Sequence, residues 1–318
     1  MPELRAYQHG ICPRSERLVQ ATRDVERGRT TPEAVDEAFR ADRQALLAVQ
    51  REARLDHLSD GLLRWQDVFR PLVEASSGLE AQTLVRWFDN NSFFRAPRLA
   101  DRPALDGLPP ELSRDGDVPE DAVATLPSPY LFSRAAETTE DRDRVLGDLV
   151  RGVLRPAVEG LVGAGFRVIH LQEPWLPFFG VEDASWKPLE AGLAELHEAS
   201  GDATLVFHTY FGDVAPHAER LRRLPVDAVG IDFVETDLDA LPAPWGTGLL
   251  VGCLDGRRSL LESADGTAKF VEHVAEALQP PEILVSSTSD LELLPREVAD
   301  RKIRLLGEVR ARAAEALE

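Results

Sequence analysis

In the second half of the chain, short runs of β-branched and other apolar residues alternate with longer stretches whose apolar residues repeat at helical spacing. This pattern predicts strands at 166–172, 203–208, 227–232, 247–253 and 282–287. It predicts helices at 184–199, 214–223, 266–278 and 296–316. Strands that alternate with helices form a parallel sheet, because a parallel connection needs a crossover and the helix provides it.

Five such strands follow one another at nearly even spacing, and the N-terminal half can supply the remaining ones. This arrangement favours a closed barrel over an open sheet. No Gly-x-Gly-x-x-Gly or P-loop turn follows a predicted strand, so a dinucleotide or nucleotide fold has little support. The sequence therefore predicts an α/β fold, a single (β/α)8 TIM barrel over residues 1–318 with an N-terminal helical extension.

The N-terminal half has a less regular pattern. A long helix is predicted from about Pro32 to His57, because a capping threonine precedes a proline at the first helical position. A second helix is predicted near 138–163. Between them, residues 99–126 are rich in Pro, Asp and Gly and show no period, so we interpret them as an irregular excursion from the barrel.

Charge and cysteine content narrow the functional classes. The 36 basic and 55 acidic residues give a formal net charge of −19, which argues against nucleic acid as a partner. The two cysteines, Cys12 and Cys253, have no partner at metal-binding spacing and are expected to be reduced thiols. No apolar run is long enough to span a membrane and the N-terminus is polar, so a soluble, cytoplasmic protein is expected.

Polar side chains follow all five predicted strands, at the barrel end where the chemistry of this fold takes place. We expect these residues to converge on one face of the barrel: Glu173, His208, Asp232, Asp255 and Ser289. Each also has a structural interpretation, because Asp232 and Asp290 could cap the next helix, His208 could be a hydrogen-bonded core residue, and Glu173 could belong to a turn.

Six segments, in order, resemble the cobalamin-independent methionine synthase family. They are GICPRSERL (10–18), RWFDNNSFFRAP (86–97), LQEPWL (171–176), TYFGD with LPVDAVGIDFV (209–213 and 224–234), VGCLDGRRSLLE (251–262) and VSSTSDLELLPRE (285–297). The resemblance implies a (β/α)8 barrel and methyl transfer from a methylated folate to homocysteine. TYFGD and DGRR are closest to the N-terminal, zinc-free barrel of the family.

The resemblance also implies where the zinc ligands of the family's catalytic barrel would lie. The corresponding residues are His208, Tyr210, Asp232 and Ser289, so both cysteine ligands of the family are replaced. Zinc prefers thiolate and imidazole ligands, and no tightly bound metal or cofactor is therefore expected. Without zinc, His208 is a hypothetical base for activating homocysteine. Gln172 replaces an aspartate that binds the amino acid in the family, while Glu173 is retained.

Four arginines within the matched segments, Arg14, Arg86, Arg95 and Arg257, could bind the carboxylates of a folate tail. They could equally pair with the many carboxylates of the protein itself. The aromatic side chains of 87–88 and 93–94 could stack on a pterin ring or belong to the core.

We therefore predict a methyltransferase of the methionine synthase type that binds the methyl donor or supports a separate zinc-bearing homologue. The candidate catalytic residues are His208, Asp232 and Glu173. The candidate substrate-binding residues are Arg14, Gln172, Tyr210, Asp255, Arg257 and Ser289. A stand-alone methyltransferase with another donor or acceptor, or a non-catalytic interaction subunit, are the alternatives. Neither a nucleic acid nor a membrane is expected as a partner.

Overall fold

A computed structural model describes residues 2–109 and 121–317 of the protein. The strands are β1 (Glu3–Ala6), β2 (Leu58–Ser59), β3 (Ser76–Val85), β4 (Phe94–Leu105), β5 (Ala122–Pro127), β6 (Val168–Glu173), β7 (Thr204–Thr209), β8 (Ala228–Asp232), β9 (Gly248–Leu254) and β10 (Glu282–Ser287). The α-helices are α1 (Glu16–Glu26), α2 (Pro32–Glu52), α3 (Arg70–Glu74), α4 (Pro129–Ala135), α5 (Arg142–Leu149), α6 (Arg155–Gly163), α7 (Trp175–Phe179), α8 (Trp186–Ser200), α9 (Ala218–Leu221), α10 (Ala264–Leu278) and α11 (Arg296–Leu317).

Eight of the strands form one parallel sheet in the order β1-β10-β9-β8-β7-β6-β5-β2. The two outer strands of this order are joined by a parallel bridge between Tyr7 and His57. The amide of Asp56 also donates to the carbonyl of Ala6 at 2.9 Å, which ties the same two strands together. The predicted (β/α)8 fold is confirmed.

The interior of the barrel changes from apolar to polar along its axis. Seven residues, one from each of seven barrel strands or their ends, form an apolar layer separate from the main core: Tyr7, Val123, Val168, Val206, Ala228, Leu250 and Leu284. Side chains alternate between the two faces of a strand, so the residues two positions further on also face the interior. Those residues include Thr125, His170, His208 and Ser286, all buried. A polar layer therefore lies on top of the apolar one, below the mouth of the barrel.

The helices α1 and α2 lie between the first and second barrel strands. The predicted N-terminal helical extension is therefore wrong in its position, because β1 comes before both helices and they form the first connection of the barrel. Helix α2 begins at Pro32 with Thr31 as its N-cap, as predicted, but it ends at Glu52 instead of near His57. The helix stops because Arg54 adopts a positive φ of 55° and Asp56 joins the barrel edge. The helix predicted at 138–163 begins at Arg142, where Asp141 caps it, and continues through a π-helical turn at Val150–Leu154 into α6.

Strands β3 and β4 form an antiparallel hairpin between the second and third barrel strands. The irregular excursion predicted at 99–126 is wrong at both ends. Residues 99–105 continue β4, and residues 122–126 belong to β5. Its centre, residues 110–120, lies outside the described residues. Prolines at 97 and 103 and exposure of many side chains in β4 hide the strand pattern there. Within the described ranges, no helix is long and apolar enough to cross a membrane.

Candidate functional site at the barrel mouth

The predicted site residues on the last five barrel strands lie at the same end of the barrel. Glu173 and Asp232 are the last residues of β6 and β8, and His208 is the penultimate residue of β7. Asp255 and Ser289 follow β9 and β10 closely. All five are buried. Since the strands are parallel, their carboxyl ends bring these side chains to one face, as the sequence predicts.

His208 lies in a group of three buried imidazoles. His208 Nδ1 is 3.3 Å from His170 Nε2, and the ring of His9 stacks on that of His170 with 4.1 Å between centroids. Of these three histidines, only His208 was predicted from the sequence. The available signal was the alternation within β6, which places His170 on the interior face, but a barrel must close before His9 from β1 meets the other two.

The environment of His208 does not favour the role of a general base. Burial lowers the pKa of His208 well below its ordinary value, and the neighbouring His9 lowers it further. Burial likewise lowers the pKa of His9 to about 4. An efficient base needs a pKa near the working pH, and a neutral imidazole that resists protonation accepts a proton poorly. The structure therefore gives the predicted catalytic role of His208 little support.

Glu173 connects two short helices. Its carboxylate accepts hydrogen bonds from the amides of Leu131 in α4 at 3.0 Å and Leu176 in α7 at 2.7 Å. The hydroxyl of Ser128 donates to the same carboxylate. Burial raises the pKa of Glu173 to about 7, and these hydrogen bonds act in the opposite direction. The side chain predicted to be catalytic thus has a structural task, which is to hold the loops after β5 and β6.

A second carboxylate, Asp290, organises the opposite side of the mouth. Its Oδ1 accepts hydrogen bonds from Gln172 Nε2 at 2.6 Å and from the amide of Ile11 at 2.8 Å. The interpretation of Asp290 as a helix cap is wrong, because α11 begins only at Arg296. Gln172 is predicted to bind substrate, but in the structure its side-chain amide already donates to Asp290. Gly10 allows the close approach, since a Cβ there would lie 1.5 Å from Asp290 Oδ1.

The mouth is strongly acidic near Tyr210. Burial raises the pKa of Asp290 to about 7, and burial together with the charge of Asp290 raises the pKa of Glu292 to about 8. The buried Tyr210 has a pKa well above its ordinary value, because of burial and of the carboxyls of Asp290, Glu292 and Glu173. The hydroxyl of Ser92 donates to Glu292, so the segment between β3 and β4 reaches this cluster.

The raised pKa values of Asp290 and Glu292 predict how the free energy of unfolding depends on pH. The raised pKa values mean that the folded protein holds protons on Asp290 and Glu292 that the unfolded chain has released. The free energy of unfolding should therefore fall as the pH rises through the folded pKa values of about 7 and about 8, and it should level off above about pH 9. Glu292→Gln should make this fall shallower, as measured by guanidinium unfolding at several pH values. The exposed Glu297 provides the control, since Glu297→Gln should leave the slope unchanged. An unchanged slope in Glu292→Gln would contradict the assignment.

Asp232 and Arg257 form the third side of the mouth. Asp232 accepts hydrogen bonds from the amides of Val234 at 3.0 Å and Phe211 at 3.3 Å. Burial raises its pKa to about 6 despite these bonds and the nearby charge of Arg257. The Arg257 guanidinium pairs with Glu235 and lies 5.5 Å from the centre of the Phe211 ring. Three strand ends therefore meet around one arginine.

The loop that carries Asp255 and Arg257 is held by hydrogen bonds within the loop and to Glu262. The Asp255 carboxylate accepts a hydrogen bond from the amide of Arg257 at 2.8 Å and lies 3.3 Å from Arg258. The Glu262 carboxylate accepts hydrogen bonds from the amide of Asp255 at 2.9 Å and from the ammonium of the buried Lys302 at 2.7 Å. Asp255 thus shapes this loop, and its predicted role in substrate binding stays a prediction.

The other predicted arginines point elsewhere. Arg14 donates to the carbonyl oxygens of Leu63 at 2.5 Å and Arg64 at 2.7 Å, and it lies over the ring of Phe39 in α2. The prediction that Arg14 binds substrate is therefore not supported by its contacts, because backbone carbonyls already occupy its guanidinium. Arg86 and Arg95 are exposed on the hairpin. Of the four arginines, Arg257 is the one that contacts residues of the mouth.

An aromatic group lines the rim beside Phe211. The buried Phe88 contacts the rings of Phe211 at 5.6 Å, Phe178 at 5.5 Å and Trp175 at 6.4 Å between centroids. Phe178 is 39% exposed and its neighbour Phe179 is 49% exposed. Such a rim offers flat apolar faces next to polar groups, which suits a planar heterocycle.

The zinc site of the family does not fit the residues at this mouth. Tyr210 and Ser289 occupy the two positions that the resemblance assigns to thiolates. Tyr210 keeps its proton because its pKa is raised, and the Ser289 hydroxyl is 3.4 Å from the carbonyl oxygen of its neighbour Asp290. The other two positions offer the imidazole of His208, whose lowered pKa keeps it neutral, and the carboxylate of Asp232, which accepts hydrogen bonds from backbone amides. This donor set lacks the soft ligands that a thiolate zinc site requires.

Comparison with known proteins agrees with the motifs. Residues 73–279 match the family model described as the cobalamin-independent synthase, N-terminal domain. The methionine synthase of Sulfolobus acidocaldarius is 23% identical over 307 residues, which cover 92% of this chain and 87% of that protein. A 5-methyltetrahydropteroyltriglutamate–homocysteine methyltransferase of Bacillus thuringiensis is 25% identical over 242 residues, which cover 71% of this chain. That match takes in only 31% of the Bacillus protein.

Solved structures show the same fold. A B12-independent methionine synthase from a Shewanella species, in complex with selenomethionine, superposes with a TM-score of 0.75 over 99% of this chain and 98% of that chain, at 15% identity. A methyltransferase from Methanosarcina mazei superposes with a TM-score of 0.65 over 100% of this chain and 94% of that chain, also at 15% identity. These likenesses establish the barrel, and the family model, which covers well over half of the chain, establishes the kinship. The chain therefore belongs to the cobalamin-independent methionine synthase family, within which it matches the N-terminal domain.

Proposed function

We propose that the chain is a methyltransferase subunit of methionine biosynthesis that binds the methylated folate donor and works with a separate zinc-bearing homologue. The observation that carries this proposal is the pair Tyr210 and Ser289, which stand where the family's catalytic barrel has thiolates. The chain retains the family's fold and the other motifs. It therefore keeps a binding site while lacking the ligands for the metal that activates homocysteine.

The electrostatics of the mouth support a division of labour. A thiol becomes a nucleophile only as a thiolate, and nearby positive charge lowers its pKa. Around Tyr210 the mouth instead carries Asp290, Glu292 and Glu173, whose pKa values are all raised by burial. A site where burial makes carboxyl groups resist ionisation also disfavours a thiolate, because burial opposes either negative charge. Homocysteine activation is thus disfavoured here, whether by a metal at the family's ligand positions or by His208.

The same mouth has groups that suit a pteridine with an acidic tail. The rim of Phe88, Trp175, Phe178 and Phe211 can stack on a flat ring, and Arg257 lies on the edge of this rim. Arg257 can accept a carboxylate in its fork geometry, exchanging Glu235 for the ligand. When no donor is bound, the ion pair with Glu235 holds the Arg257 guanidinium in place, since a paired charge is less mobile.

One relative of the chain is a much longer protein. The chain spans about a third of the length of the Bacillus methyltransferase that it matches. A protein of that size has room for a further barrel, and covalent linkage gives two barrels a high effective concentration that separate chains must recover by association. The second candidate, a stand-alone methyltransferase, is favoured by the Sulfolobus methionine synthase, which matches over 87% of its own length.

Donor binding provides the test of this proposal. Equilibrium dialysis with tritiated 5-methyltetrahydropteroyltriglutamate should give saturable binding to the purified chain. Arg257→Gln should weaken the affinity by about tenfold, equivalent to about 1.4 kcal/mol, since it removes a charged contact to the tail. The neighbouring Arg258, whose side chain is 76% exposed, is the matched control, and Arg258→Gln should bind as the original protein does. Absence of saturable binding, or equal loss in both variants, would contradict the donor-binding role.

A further inference from the structure

The interior of the barrel holds three imidazoles that the proposed function does not use. His9 follows β1, His170 lies in β6 and His208 lies in β7, and each is fully buried. One ring nitrogen from each lies within 4.8 Å of the others. The group belongs to the polar layer above Val168 and Val206, one layer deeper than Tyr210 at the mouth.

The hydrogen bonds of these rings leave two nitrogens unsatisfied. His9 Nε2 is 3.3 Å from the carbonyl oxygen of Ser287, which can only accept, so this nitrogen carries the proton and His9 Nδ1 carries the lone pair. His170 uses Nδ1 with the Tyr7 hydroxyl at 2.9 Å and Nε2 with His208 Nδ1 at 3.3 Å. His9 Nδ1 and His208 Nε2 have no hydrogen-bond partner although both are buried. A buried nitrogen without a partner is costly, and a bound ligand removes that cost.

Several features of the group match those of histidine metal sites. Burial lowers the pKa of all three imidazoles, so each is neutral at pH 7 and offers a lone pair. A histidine ligand ordinarily has its other nitrogen bonded to a carbonyl or a similar group, as Ser287 does for His9 and Tyr7 for His170. The 3.3 Å between His170 Nε2 and His208 Nδ1 also equals the edge of a tetrahedron whose metal–nitrogen bonds are about 2.0–2.1 Å.

The sequence makes room for the rings. A Cβ at Gly230 in β8 would lie 2.4 Å from His208 Cδ2, so only glycine admits the imidazole in this position. The interior neighbours Thr125 and Ser286 are small and polar. The layer therefore has small and polar neighbours around the imidazoles, where a barrel core ordinarily packs branched apolar side chains.

We propose that His9, His170 and His208 form a binding site for one transition-metal ion of the zinc type inside the barrel. The site is distinct from the thiolate site of the family, with which it shares only the His208 position; Tyr210, Asp232 and Ser289 take no part in it. His9 completes the site by tilting away from its stacked position on His170, because parallel rings cannot aim their lone pairs at one ion. The ion takes the lone pair of the unpartnered His9 Nδ1 together with those of His170 Nε2 and His208 Nδ1, and it ties β1 to β6 and β7 across the barrel.

Cobalt provides the direct test. The purified chain, treated with chelator and dialysed, should bind one equivalent of Co²⁺ with the intense visible absorption of a tetrahedral or five-coordinate nitrogen site, and Zn²⁺ should displace it. His9→Gln and His170→Gln should abolish this absorption. Asp232→Asn and Ser289→Ala, which alter the mouth positions that correspond to family ligands, should retain it.

Two results would overturn the proposal. One is the absence of a one-to-one complex with either metal in the original protein. The other is binding that persists in His9→Gln and His170→Gln and disappears in Asp232→Asn, which would assign the ion to the mouth. Should the histidine variants not fold, X-ray absorption of the zinc-loaded original protein decides, since three imidazole ligands are required and fewer would contradict the site. Donor dialysis is measured separately, so its outcome leaves this test unaffected.

Discussion

Gly10→Ala is expected to destabilise the protein by about 3 kcal/mol or more and to impair donor binding. Gly10 has a φ of +69°, and this left-handed conformation alone costs an alanine about 1–2 kcal/mol. The added Cβ would also lie 1.5 Å from Asp290 Oδ1 and 2.6 Å from Gln172 Nε2. Asp290 would have to leave the hydrogen bonds that it accepts from Ile11 and Gln172, which adds a further loss of about 1–3 kcal/mol.

Gly28 provides a matched control for this substitution. Its φ of +68° is nearly the same, but a Cβ there would meet nothing within 4 Å. Gly28→Ala should therefore cost only the backbone strain of about 1–2 kcal/mol and leave donor binding unchanged. Both variants should be measured by guanidinium unfolding and by dialysis with the tritiated donor. The comparison separates the cost of the backbone conformation from the cost of the steric clash with Asp290. Equal losses of stability in the two variants would show that the contact between Gly10 and Asp290 does not organise the mouth.

The regular half of the barrel could be predicted from the sequence because its strands are rich in β-branched residues and are buried at nearly every position. Strand β10 occupies the predicted residues 282–287, and β6 to β9 lie within two residues of their predicted bounds. The polar strand ends could be predicted for the same reason. The helix predicted at 214–223 is reduced to α9 and a preceding 3₁₀ turn at Ala215–His217.

The first three barrel strands could not be predicted in this way. Strand β2 has two residues and β1 has four, which is too short for an alternating pattern. Strand β5 lies at the end of a segment that has no regular period, because the residues before it are rich in proline and acidic residues. His9 and Asp290 become neighbours of the site only through contacts across the closed barrel, and these contacts span more than 100 residues of sequence. The sequence pattern carries local information, so it missed the histidine group and the Gly10–Asp290 contact, and it assigned Arg14 to a site that its contacts do not reach.

We propose that this chain binds the donor without activating homocysteine. Steady-state methionine formation from homocysteine and 5-methyltetrahydropteroyltriglutamate is therefore the decisive measurement, with this chain alone, with a short zinc-bearing homologue alone, and with the two mixed. We expect no methionine above background from this chain alone and a rate for the mixture that exceeds the sum of the separate rates. Sustained turnover by this chain alone in chelator-treated buffer would overturn the proposal, and so would a mixture whose rate is only the sum of the two separate rates.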